Sequence, residues 1–438
     1  MTWSSVRVSN LPVLLDLSVL YRMTQSVPLS SGCPLGKDLP MVTAELRWDP
    51  FDRTLHKDPY EVWRRLRDEA PVYYNEQYDF YALSRFDDVL AASLDTETFS
   101  SEHGITLDAI TPEPWSPPKA MIMMDPPDHT AMRKMVNRTF FRSKIAELED
   151  RVRILCRGYL DPHVGSGGFD YVRDFSMKLP VMVISSLLGF PEEDHDNLRE
   201  WTDLQLHREE GAAELSELGQ QANEKLFGYY KEQIQKRRVN GTSDIVSNLM
   251  DSDLVQPGRE TRRLDDGEVL FFIALINVAG NETVARLLGW TALTLARFPD
   301  ERAKLVENPG LIGGAVEELL RYEAPSPVQG RFTVRDAEYH GAVIPAGSKV
   351  ALLTGSAGRD ERQYPNPDVF DVNRTGIRHV SFGHGAHFCL GAALARLEAR
   401  VAIEETLARF PTWHVDEDAV EYVHTNSVRG PASVPISL

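Results

Sequence analysis

One cysteine of three sits where chemistry could be done. Residues 381–396 read SFGHGAHFCLGAALAR. Cys389 follows Gly383 and Gly385, stands two residues after His387 and two before Gly391, and precedes a strongly helical run, LGAALARLEARVAIEETLARF. Glycine lets a backbone turn tightly or come close to a flat ligand. A cysteine at a helix N-terminus has its thiolate stabilised by unpaired N–H groups and by the helix dipole. The loop therefore suits a thiolate held beside a planar group. Cys33 and Cys156 have ordinary surroundings, and three cysteines cannot build a four-cysteine iron–sulfur cluster.

Thiolate-ligated haem is a planar group of this kind, in which the sulfur pushes electron density onto iron and favours O–O cleavage. Three other stretches offer groups that such a site would use. AGNETV, residues 279–284, lies inside a long helical pattern. A mid-helix glycine is unfavourable by about 1 kcal/mol relative to alanine, and Asn281 and Thr283 compete for backbone hydrogen bonds. A kink or bulge is expected there. EELLRY sets Glu318 and Arg321 at i, i+3, a spacing that by itself stabilises a surface helix by only about 0.2–0.5 kcal/mol. DPPDHTAMR sets His129 and Arg133 at i, i+4 on one helix face, where they could meet carboxylates.

Phe382, Gly383, Gly385, His387, Cys389 and Gly391 together fill the pattern F-G-x-G-x-H-x-C-x-G. This resembles the haem-binding signature of the cytochrome P-450 monooxygenases. The resemblance extends over about residues 45–438 and implies a role for each motif. Cys389 would ligate the iron of haem b, with Phe382 and Gly391 beside it. His129, Arg133, Arg331 and His387 would hold the two haem propionates. Glu282 and Thr283 match an acid–alcohol pair that delivers protons for O2 activation. Glu318, Arg321 and Arg374 match a structural cluster. Substrate lining would come from Ile105, Leu107, Ile110, Leu275, Val278, Ala279, Val328 and Val428. One departure is AGRD, residues 357–360, where relatives commonly carry Asn at the position of Gly358; a local change of hydrogen bonding is expected.

The activity implied is insertion of one oxygen atom from O2 into an apolar small molecule. The chain has no flavin domain, so electrons would come from a separate ferredoxin and an NAD(P)H-dependent reductase. RKMVNRTFFRSK, residues 133–144, carries no acidic residue in a chain of net charge -18. Lys134, Arg138, Arg142 and Lys144 would then form a docking face for an acidic ferredoxin. A peroxide-driven relative is one alternative, against which the intact Glu282–Thr283 pair argues. A non-catalytic haem sensor is another, but no output domain is visible.

These groups need a large, mainly helical scaffold with a minor sheet, the cytochrome P-450 fold. Helices are expected over 58–70, 128–160, 174–189, 192–238 (broken near Gly211), 265–297, 309–323 and 390–410. Strands are expected in 71–84 and between Phe332 and Thr354. Residues 101–120 read as a long loop. Residues 45–438 form a haem domain preceded by a peripheral extension, 1–44. With 42% hydrophobic residues the chain can build a sizeable core. Its 65 acidic against 47 basic residues argue against nucleic-acid binding. Scattered cysteines, no visible membrane span and a poor fit to a leader point to the reducing cytoplasm; a monomer is expected.

Overall fold

The computed structural model describes residues 46–116, 119–137, 145–205, 216–241, 244–423 and 427–438. The expected extension 1–44 thus lies outside the described residues. The principal helices are α1 (Tyr60–Glu69), α2 (Phe86–Leu94), α3 (Asp128–Asn137), α4 (Glu149–Leu160), α5 (Lys178–Leu187), α6 (His195–Leu204), α7 (Glu217–Asn240), α8 (Asp266–Arg297), α9 (Ile312–Tyr322) and α10 (Ala392–Arg409). The single helix expected over 128–160 is therefore two described helices. The one expected from 174 begins instead with a wide turn, Val172–Ser176, before α5.

Period-two alternation builds the sheet. In chain order the strands are β1 (Val72–Asn75), β2 (Phe80–Leu83), β3 (Phe99–Ser100), β4 (Gln329–Thr333) and β5 (Lys349–Leu352); across the sheet they run β1–β2–β5–β4–β3, with only β2 and β5 parallel. Tyr81, Leu83, Val350 and Leu352 enter one apolar cluster, while Phe80, Ala82 and Ala351 enter another on the opposite face, as alternation requires. The register Arg331↔Val350 fixes where Arg331 sits on its strand.

The larger core surrounds α8. Its N-terminus is closed by a capping box in which Asp265 accepts from the Glu268 N–H at 2.8 Å and Glu268 accepts from the Asp265 N–H at 3.0 Å. The expected kink at AGNETV is not there: α8 is hydrogen-bonded as one helix across it. The Thr283 hydroxyl donates to the Ala279 carbonyl at 2.9 Å, sharing that acceptor with the backbone, and Asn281 Nδ2 donates to Asn277 Oδ1 at 3.2 Å, so neither side chain interrupts the ladder. Gly280 serves packing instead, since a Cβ there would lie 2.6 Å from Ile184 Cδ1 of α5. By length and composition α8 could cross a membrane, but most of it is buried inside the protein.

Glu398 is the anomaly of the core. It is fully buried on α10, near Cys156 of α4, and neither carboxyl oxygen has a hydrogen-bond partner among the described residues. Burial pushes its carboxyl up to about 8, so it is held neutral at physiological pH. The sign of the pH effect follows. The unfolded chain ionises near the ordinary carboxylate value while the folded chain keeps its proton, so stability is lost as pH rises from about 4.5 to 8. Each unit is worth about 1.4 kcal/mol. Thermal unfolding of Glu398→Gln against the parent should show the parent falling behind steadily over that window and no further above it. A difference that does not vary with pH would refute a neutral buried carboxyl.

Candidate active site

The cysteine loop turns where glycine is required. Gly383 and Gly385 adopt φ of 66° and 67°, a region that side chains disfavour, and a Cβ on Gly385 would also meet the Ser93 carbonyl oxygen at 3.0 Å. The loop closes on itself when the Cys389 N–H donates to the Phe382 carbonyl at 2.8 Å. Gly391 then caps α10. The backbone N–H groups of Gly391 and Ala392 bond the Cys389 sulfur, and Arg133 and Arg396 act on it as opposite charges. Yet burial outweighs them and pushes the thiol up, which corrects the expectation that the helix start alone would favour thiolate. A coordinated metal ion reverses that balance.

Residues that the motifs did not single out support this loop. The Arg396 guanidinium lies 4.6 Å from the Phe382 ring centre and forks onto Glu317 at 2.6 and 2.8 Å. His379 Nε2 meets Glu317 Oε2, which one arm of Arg396 also binds, at 3.2 Å. Burial alone would raise the Glu317 carboxyl, but the Arg396 and His379 bonds prevail and hold it at about 2. Arg396 follows Cys389 by two helical turns, and that spacing is the only signal the sequence offers for it.

Four sequence-predicted groups converge beside Cys389. His129 and His387 stack at 4.3 Å between ring centres. Burial, then neighbouring positive charge, lowers His129 to about 4 and His387 to about 3, so both rings are neutral. His129 Nδ1 and His387 Nε2 are buried without a hydrogen-bond partner among the described residues. Arg133 and Arg331 act on these rings, and full burial lowers Arg331 to about 10. Among the described residues, Asp125 is the carboxylate that acts on Arg331, and it already accepts from the Ser100 hydroxyl and the Ser101 N–H. Buried Arg331, half-buried Arg133 and the two unpaired imidazole nitrogens fit a group carrying two carboxylates, as haem does.

Across α8 the accessible residues form a stripe. Leu275, Val278, Ala279, Glu282 and Thr283 reach surface, at i, i+3, i+4, i+7 and i+8, while nearly every other residue from Val269 to Leu295 is buried. Glu282 Oε1 accepts from Arg286 Nε at 2.9 Å, and the buried Arg286 also donates to the Pro431 carbonyl. The stripe is apolar except for this acid and hydroxyl. Val428 and Ile105 are half-buried, and Ile110 is buried with Cδ1 3.0 Å from where a Gly330 Cβ would stand. Leu107 and Val328 are packed into the sheet core with Trp48 and Trp63.

Glu318 and Arg321 are both fully buried, joined at 2.7 Å through each guanidinium arm involved. Arg374 Nε reaches the same carboxylate at 3.0 Å, and the Asp371 N–H donates to it at 3.1 Å. The remaining guanidinium groups bind carbonyls of Gly358, Pro365, Asn366, Pro367 and Val369. A Cβ at Gly358 would lie 2.3 Å from the Arg321 carbonyl oxygen, a close backbone approach that favours glycine here. Of the docking residues, Lys134 is exposed on α3, while Arg138, Arg142 and Lys144 lie outside the described residues.

The family model described as Cytochrome P450 matches residues 211–431. The chain is 40% identical over 397 residues to "Putative cytochrome P450 123" of Mycobacterium tuberculosis, covering 90% of this chain and 97% of that protein. It is 36% identical over 396 residues to the vitamin D(3) 25-hydroxylase of Pseudonocardia autotrophica, covering 89% and 96%. Among solved structures, CYP109E1 from Bacillus megaterium in complex with corticosterone superposes with TM-score 0.78 at 28% identity, covering 88% of this chain and 99% of that one.

Truncating one partner of a buried ion pair costs about 3–5 kcal/mol. Arg374→Ala should lose stability on that scale in denaturant unfolding and should retain less haem after gel filtration. Unchanged stability would show that Arg321 alone satisfies Glu318.

Proposed function

The chain belongs to the cytochrome P450 family and is a haem b monooxygenase, and we propose that it hydroxylates a steroid-sized apolar molecule in the bacterial cytoplasm, fed by a ferredoxin and an NAD(P)H-dependent reductase. The observation that carries this reading is the accessible stripe of α8, an apolar surface interrupted only by Glu282 and Thr283. The relative named as a vitamin D(3) 25-hydroxylase and the corticosterone-bound neighbour support a substrate of that size and polarity.

Haem, when bound, supplies O2 activation and the transfer of one oxygen atom, while water takes the other. The chain's own groups do the rest. Cys389 is the iron ligand, with Phe382 and Gly391 shaping the loop that presents it. Arg133, Arg331, His129 and His387 bind and orient the two carboxylates. Leu275, Val278 and Ala279 hold apolar substrate and exclude water, joined by Ile105, Ile110 and Val428; Leu107 and Val328 support them from the sheet core. Thr283 would supply the hydroxyl donor, which in this structure donates to the Ala279 carbonyl at 2.9 Å. Glu282 is the acid that refills it. Lys134, with Arg138, Arg142 and Lys144, attracts the ferredoxin.

Thr283→Ala should keep NAD(P)H oxidation within about threefold of the parent but release peroxide in place of most product, because the ordered proton donor is gone. Measuring product formed per NAD(P)H consumed checks this, and undiminished coupling would remove Thr283 from the pathway. Cys389→Ala should lose both activity and the thiolate-type absorption spectrum; retention of either would overturn the whole assignment. A steroid library screened for displacement of the haem Soret band tests the substrate class, and silence from every steroid alongside a response to fatty acids would redirect it.

A further inference from the structure

The segment that carries Val428 is held from outside itself. Ser326 Oγ donates to the Ser427 carbonyl at 3.0 Å, and the Arg429 N–H donates to the Pro325 carbonyl at 2.8 Å. These two bonds lie on either side of Val428 and tie it to the stretch between α9 and β4. That stretch is itself fixed, since the Thr354 hydroxyl donates to the Ser326 carbonyl at 2.8 Å and the Gly355 N–H to the Pro327 carbonyl at 3.1 Å. Beyond Val428 the chain runs along α8. Trp290 Nε1 donates to the Arg429 carbonyl at 3.0 Å, Arg286 donates to the Pro431 carbonyl, and a Cβ on Gly430 would lie 2.6 Å from Arg286 Cβ. Arg286 in turn bonds Glu282, one turn back, at 2.9 Å, so the segment meets α8 at the end of its accessible stripe.

The side chain of Arg429 is the anchor. It is 3% exposed, and its partner Glu323, just past the end of α9, is 1% exposed. Arg429 Nη1 reaches Glu323 Oε2 at 2.6 Å and the Tyr60 hydroxyl at 3.0 Å, and that hydroxyl donates in turn to Glu323. Nε and Nη2 bind the carbonyls of His56 and Lys57, ahead of α1, at 2.7 and 2.9 Å. The guanidinium also lies 4.4 Å from the centre of the Trp290 ring. A buried ion pair of this kind contributes a defined geometry more than stability, because removing either partner leaves a charge uncompensated. Glu323 and Arg429 sit on the two segments that the flanking bonds join, so the pair fixes the register in which those segments meet.

We propose that the Glu323–Arg429 pair and the Ser326 hydroxyl determine specificity without touching substrate: they fix how far Val428 reaches into the pocket, and so how bulky an apolar molecule fits against the stripe of α8. The proposal rests on the reading of Val428 as a substrate-lining residue. A pocket wall discriminates by shape, and dispersion contacts weaken steeply when a side chain shifts by a fraction of an ångström. Val428 stands between the two bonds, so loss of either lets it settle at a different depth. Glu323, Ser326 and Arg429 are positioning residues.

The test uses the full haem-loaded chain and two probes that coordinate haem iron, imidazole and 1-tritylimidazole, each titrated by displacement of the Soret band. Imidazole needs little room, whereas the trityl group must press on the pocket walls. Val428→Phe should weaken 1-tritylimidazole about 10-fold and leave imidazole within about twofold of the parent. Ser326→Ala, which deletes one hydroxyl, and Glu323→Gln, which keeps the shape of the carboxylate, should each change the affinity for 1-tritylimidazole about 3- to 10-fold, with imidazole affinity, haem content and the resting Soret band unchanged. Ser326→Thr keeps the hydroxyl and should bind both probes as the parent does. In a Val428→Ala background the same two substitutions should change 1-tritylimidazole affinity by less than about twofold, since the side chain they position is gone. Should Glu323→Gln fail to fold, Ser326→Ala and Ser326→Thr decide alone. Parental affinity for 1-tritylimidazole in Ser326→Ala, equal losses for both probes, or an effect that survives in the Val428→Ala background each overturns the proposal. If Val428→Phe binds 1-tritylimidazole like the parent, the reading of Val428 as pocket lining fails instead.

Discussion

Everything at this site hangs from one buried carboxylate. Glu318 has no contact with water, and two guanidinium groups and a backbone N–H compensate its charge. Burying such an ion without compensation would cost many kcal/mol. The compensation reaches further than the ion pair. Arg321 and Arg374 turn their remaining N–H groups on carbonyls from Gly358 to Val369, so an irregular stretch with few ladder bonds of its own is held by side chains. That stretch leads directly into the glycine loop that presents Cys389. The cluster contributes a specific path for the backbone more than it contributes stability.

The rigidity continues on both sides of Cys389. Toward α9, Arg396 is clamped between the Phe382 ring and Glu317, placing fixed positive charge in the field of the sulfur. Toward α3, the His129 and His387 rings are kept neutral by burial and by two arginines. A neutral imidazole can donate one hydrogen bond without adding charge to an already basic pocket. Hence the pocket gathers two arginines without further positive charge from its histidines.

Helix α8 works by contrast. Burial on nearly all sides fixes its axis, and only a stripe one residue wide per half-turn remains accessible. The acid on that stripe is bonded by an arginine one turn away that cannot move.

The sequence by itself determined the chemistry and its spacing. Cys389 among its glycines, the Glu282–Thr283 pair, the Glu318–Arg321 turn and the His129–Arg133 face are local patterns, readable because helix and turn geometry fix which residues meet within a few positions. Period-two runs likewise marked β1 and β2. What spans long distances along the chain was decided only by folding. Arg396 on Glu317 and the orphan Glu398 near Cys156 join residues from different helices, and no local period announces them. Two glycines make the same point. Gly280 reads as a kink, and the smallness of Gly358 has no local cause, until Ile184 and the Arg321 carbonyl are seen against them. Close packing brings those atoms to a position from elsewhere in the chain, so a residue's reason for being small is written in its neighbours in space.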